Sequence, residues 1–153
     1  WTDESSGMDE DWVTVTGRLK ESGTADVIVV GGRNQATILQ RTSSGWKDVS
    51  LDGYPSLQGV CAQPTGDIMA TGVGATILRR TPGLIWSEAL GAPFDVVNPL
   101  DPPVPGCKLP TPDYHACFAD SQGGFFLVGG HFFGGLTEGV ILHYGPKISN
   151  QGL

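Results

Sequence analysis

The chain has 153 residues, a length that buries one core, and its 16 acidic residues outnumber 9 Lys and Arg to give a net charge of −7. That balance argues against a nucleic-acid partner, which needs a concentrated basic surface, and no apolar run of 18 residues is present to form a membrane span. With 23 Gly and 11 Pro among 39% hydrophobic residues, helices are broken too often to persist, and an all-β fold of short strands joined by turns is expected.

The chain opens on Trp1 with no initiating Met, so it is expected to be processed or to belong to something longer. Asp3, Glu4, Asp9, Glu10 and Asp11 could offer oxygen ligands to Ca²⁺, but they lack the D-x-D-x-D-G spacing, and a solvated linker is the favoured reading. Trp12-Val13-Thr14-Val15 is expected as a first strand. It leads into DVIVVGGRNQATILQRTSSGW, Asp26 to Trp46. A second first strand, Leu57 to Ala62, leads into GDIMATGVGATILRRTPGLIW, Gly66 to Trp86. A third, Tyr114 to Ala119, leads into GGFFLVGGHFFGGLTEGVILHYG, Gly123 to Gly145. Each phrase is read as an apolar strand ending in Gly, a short Gly-containing turn, and a strand beginning Ile-Leu.

The spacing is nearly fixed. Ile38 to Ile77 is 39 residues, Trp46 to Trp86 is 40, and Ile77 to Ile141 is 64, one period plus about 25. The excess falls in residues 93–114, which carry most of the chain's prolines and are expected as a long loop between repeats, because Pro cannot sit in a central strand. Four short strands in about 40 residues is the dimension of a propeller blade. The expectation is one domain over residues 1–153, a β-propeller section of about three four-stranded antiparallel blades at 12–46, 57–86 and 114–145. Trp1 aligns with Trp46 and Trp86, so the N-terminus is expected to supply the fourth strand of the blade begun at the C-terminus. Three blades are too few for a ring, so the section is expected to belong to a larger or oligomeric one.

The segment from Ile38 to Arg80, with its G-x-I-L hairpins and G-x-W turns, resembles the bacterial propeller repeats of the Ycf48-like, BNR/Asp-box group, and the resemblance covers residues 12–146. It implies the propeller architecture. Thr42 to Trp46 and Thr81 to Trp86 keep the Gly and Trp of the Asp-box but lack its Asp, which weakens any transfer of sialidase-like activity.

Chemical motifs are sparse. Gly31-Gly32-Arg33-Asn34-Gln35-Ala36 lacks G-x-G-x-x-G spacing and a following helix, and its echoes in the other repeats mark it as a structural turn. His115, His131 and His143 are scattered, so no metal site is expected. No G-x-S-x-G elbow occurs, and no catalytic residue or cofactor is assigned. Cys107 and Cys117 bracket a Pro-containing loop that a disulfide could close, or all three cysteines are small buried hydrophobes. A disulfide would place the chain in an oxidising compartment.

The interface candidates lie where the repeat breaks: His131, Phe132, Phe133 and Leu136 in the enlarged turn, with Pro102, Pro103 and Tyr114 of the insertion. Trp46 and Trp86 are expected to pack between blades. The leading expectation is a non-catalytic module, exported to the periplasm, cell surface or medium, that binds a protein or copies of itself. A lectin-like propeller binding glycans is the alternative, and a sialidase- or lyase-type enzyme the third.

Overall fold

A computed structural model describes residues 2, 4–83, 85–89, 94–96, 112–130 and 139–146. The fold is all-β. Three four-stranded antiparallel sheets are built in order along the chain. The first contains β1 (Trp12–Leu19), β2 (Ala25–Gly31), β3 (Thr37–Thr42) and β4 (Gly45–Asp48), laid side by side in that order. The second repeats this plan with β5 (Leu57–Ala62), β6 (Ile68–Gly72), β7 (Ile77–Arg80) and β8 (Ser87–Glu88).

The third sheet differs. Its order is β10 (Asp113–Ala119), β11 (Phe125–Gly130), β12 (Gly139–Tyr144) and then β9 (Phe94–Val96), so the outer strand is made before the other three. Two expectations are corrected by this. Residues 93–114 are not wholly loop, because Phe94–Val96 pair with Leu142, His143 and Tyr144. The N-terminus does not fill the fourth place of the third sheet, because β9 holds it; residues near the N-terminus are tied to the first sheet instead, Glu4 to Arg41 and Asp11 to Arg33. β9 is the outer strand of its sheet.

Each sheet carries the same irregularity at the same place. The first strand bulges by one residue, between Trp12 and Thr14, between Leu57 and Gly59, and between Tyr114 and Ala116. The residue at the start of each bulge pairs with a glycine: Trp12 with Gly31, Leu57 with Gly72, Tyr114 with Gly129. A Cβ on any of these glycines would lie 2.0–2.2 Å from the carbonyl oxygen of Asp11, Ser56 or Asp113. The glycine that closes each sequence phrase is therefore required by close backbone approach, which no side chain permits.

The bulge also shifts the alternation of faces. Leu57 and Val60, three residues apart, both face the first sheet, in a core with Ile28, Val30 and Ile38. Cys61 then points the other way, into a second core with Met69, Tyr114, Phe125, Leu127 and Leu142. Tyr114 and Cys117 are likewise three apart and both face the second sheet. The second sheet is thus buried on both faces, against the first sheet on one and the third on the other.

Across the second seam Cys61 and Cys117 form a disulfide, with Cα atoms 5.7 Å apart. A Cys107–Cys117 bridge, one of the two readings the sequence leaves open, does not form: Cys117 is bonded to Cys61, and Cys107 lies outside the described residues. The bond closes a span of 56 residues. A loop of that length restricts the unfolded chain by about 4 kcal/mol.

Two outcomes are expected from these features. Gly129→Ala should destabilise the chain by about 1–3 kcal/mol or more through overpacking, whereas Gly139→Ala, whose Cβ would meet nothing within 4 Å, should change stability by less than about 0.5 kcal/mol in urea unfolding. Reduction, or Cys61→Ala with Cys117→Ala, should lower the unfolding free energy by about 2–5 kcal/mol, and an unchanged urea midpoint under reductant would show that the bond does not form.

Candidate functional site

The three sheets meet through a repeated polar arrangement on their facing sides. Counted from the bulge glycines, Gln40 of β3, Arg79 of β7 and His143 of β12 occupy matching places, opposite Ile28, Met69 and Phe126. Each is set beside a carboxylate of its own sheet. Gln40 Nε2 donates to Asp26 Oδ1 at 3.1 Å, Arg79 Nη2 donates to Asp67 Oδ1 at 3.1 Å, and His143 Nε2 stands 3.6 Å from Asp120 Oδ2. The residue after each matching place is presented to the preceding sheet. Tyr144 receives Arg79, whose Nη1 donates to the phenol oxygen and whose guanidinium lies 5.0 Å from the ring centre. Arg80 brings its Nη2 to 3.6 Å from Asp26 Oδ2.

Where the first strands come together, a chain of polar contacts links all three sheets. The Thr14 hydroxyl donates to the Gln58 carbonyl, the Gln58 side chain meets His115 Nδ1, and His115 Nε2 lies 3.3 Å from the Gly130 carbonyl. Gln58 and His115 are the extra residues of their bulges, which turns these two side chains toward the neighbouring strand.

Among the described residues no further sheet covers the outer sides of the end sheets, and several of their apolar residues are exposed. On the first sheet these are Val13, Val15 and Leu19; on the third they are Phe118, Val128 and Ile141. The same places elsewhere are covered. Val15 is 62% exposed while its match Val60 is 5% exposed, and Val128 is 43% exposed while its match Val30 is fully buried. Ile141 is exposed where Ile38 is buried.

Comparison with protein-family models, with curated proteins and with solved structures finds no match to this chain.

Of the residues singled out from the sequence, His131, Phe132, Phe133, Leu136, Pro102 and Pro103 lie outside the described residues. Tyr114, expected as a contact residue, is buried in the core between the second and third sheets, and burial pushes its phenol pKa upward. The two tryptophans part company. Trp86 is buried between the first and second sheets, with the Arg80 guanidinium 5.6 Å from its ring centre. Trp46 is only half-buried, correcting the expectation that both pack between blades, because among the described residues no further sheet faces its side of the first sheet. The acidic N-terminal residues pair with cations: Glu4 meets Arg41 at 2.8 Å, and Asp9 and Asp11 approach Arg33. The Arg41 hydrogen bonds hold the Glu4 carboxyl below its ordinary pKa. Among the described residues no cluster of metal-ligating side chains occurs.

Asp120 is the carboxylate whose setting predicts a pH effect. Burial works against its charge, but the backbone N–H groups of Gly124 and Gln122, each donating at 2.7 Å, and the neighbouring His143 outweigh burial and hold its pKa below 3.8. A depressed carboxylate pKa adds stability above the unfolded value, and that stability is lost as pH falls through the folded value. Thermal unfolding should show the melting temperature falling below about pH 4. Asp120→Asn should melt lower at neutral pH and lose less on acidification; equal acid slopes for the two chains would count against this assignment.

Proposed function

We propose that this chain is a non-catalytic β-propeller section that assembles with a second copy of itself through the exposed outer faces of its end sheets. The observation that carries this reading is the match between exposed and buried positions. The outer face of the third sheet has the same place in its repeat as the face by which the first sheet packs on the second. The outer face of the first sheet has the same place as the face that receives it. A second copy's first sheet, set on the third sheet, would repeat a contact already made twice within the chain.

The contact is head-to-tail, between two different faces. Such contacts close into a ring when the rotation per step allows. Two copies of three sheets give six, within the four to eight blades of known propellers. Apolar surface on both faces supplies the drive, at about 25 cal/mol per Å² covered. Charge agrees with it. Arg41 matches Arg80 and Tyr144 in its repeat, so in the assembled pair it would lie toward the partner's Asp120, as Arg80 lies toward Asp26. It would exchange Glu4 for that site.

The Cys61–Cys117 disulfide supports export, since such bonds persist in oxidising compartments.

Light scattering with size-exclusion chromatography at micromolar concentration should give twice the 16.1 kDa chain mass. Val15→Asp and Val128→Asp, on opposite end faces, should each yield folded monomers by circular dichroism. A wild-type chain that stays monomeric would overturn the reading, as would assembly that survives both substitutions.

A further inference from the structure

A pocket of about 320 Å³ opens between the first and second sheets, at the end of the seam away from the bulges, and its lining includes Arg18, Lys20, Asp26, Gln40 and Arg80. Three cations surround one carboxylate there, an excess of positive charge on a chain whose net charge is −7. The carboxylate is itself shared. Asp26 is 6% exposed; its Oδ1 is taken by Gln40, and its Oδ2 stands 3.8 Å from Arg18 and 3.6 Å from Arg80, too far for a tight hydrogen bond to either.

Both guanidinium groups keep donor capacity. Arg18 Nη1 reaches the Pro64 carbonyl at 3.2 Å, but its buried Nε finds no acceptor. The Arg80 side chain is 12% exposed, and burial, only partly offset by Asp26 and reinforced by Arg18, lowers its pKa. Arg18 packs closely over Gly66, where a Cβ would lie 2.6 Å from Nη2. A desolvated cation without its full share of opposite charge is costly, and a bound anion removes the cost. Guanidinium groups suit a tetrahedral oxyanion, giving it paired donors in a fixed plane.

The geometry points to this pocket as a binding site for a phosphate group, carried on a free ion or on a small ester, held by Arg18 and Arg80 with Lys20 at its mouth. This site is independent of self-assembly, since all of its residues belong to the inner seam of one chain.

Isothermal titration with inorganic phosphate and with glucose 6-phosphate, each against sodium chloride at matched ionic strength, tests it. Saturable binding of either phosphate, absent with chloride, is expected. Preference for the ion or for the ester identifies the source. Arg18→Gln and Lys20→Gln should each weaken binding, Arg18→Gln by at least about tenfold through loss of a charge-assisted donor. Lys20 is exposed, so its variant decides the matter should Arg18→Gln fail to fold. No saturable binding of either phosphate overturns the site, as does binding unchanged in the Lys20 variant.

Discussion

One extra residue in the first strand of each sheet, set against a glycine in the second, governs the arrangement of the whole chain. A strand alternates its side chains between two faces, and a single inserted residue exchanges the faces from that point on. Leu57 and Val60 can therefore both face the first sheet, which leaves Cys61 for the third. The same shift in β10 lets Tyr114 and Cys117 both face the second sheet. Without the bulges the two cysteines would point away from one another. The glycines make the bulges possible, because at 2.0–2.2 Å from a facing carbonyl there is room for hydrogen and nothing larger.

The seams between sheets share a division of labour. Apolar side chains near the bulge supply burial, and polar pairs toward the other end supply alignment. Gln40 with Asp26 and Arg79 with Asp67 fix each carboxylate from within its own sheet, and the next sheet's Arg80 or Tyr144 then meets a preset surface. The third sheet has its own version in His143 and Asp120, of which His143 is buried, and beside it Phe118, Val128 and Ile141 are exposed. The first and second sheets differ at their tryptophans: Trp86 lies against the first sheet, and among the described residues no sheet lies against Trp46.

The periodicity of the sequence made the strand content and the bounds of two first strands legible, while the first, expected over Trp12–Val15, runs on to Leu19. Leu57–Ala62 is the strand expected there, and Tyr114–Ala119 begins one residue earlier, at Asp113. The glycine ending each phrase was visible, but the bulge opposite it leaves no composition signal, so the face of each cysteine could not be assigned. Proximity along the chain offered only Cys107 as a partner for Cys117, where the fold brings Cys61. Trp1 in register with Trp46 and Trp86 suggested a sheet finished from the N-terminus. β9 shows that edge strands obey a looser rule, since three residues pairing on one side carry almost no pattern of their own. The cations around Asp26 were missed because Arg18 and Arg80 lie in different repeats, and their meeting depends on the stacking of sheets.

The early birth of β9 has a consequence for how the chain acquires its shape. The first two sheets are simple meanders, each strand pairing with the one made just before it, and both can form as the chain lengthens. The third cannot. β9 is complete by Val96, yet its pairing partner β12 begins at Gly139, after β10 and β11 have been made. The β9 edge of this sheet therefore cannot be paired before Gly139–Tyr144 has been made, and that pairing sets β12 between two strands made earlier.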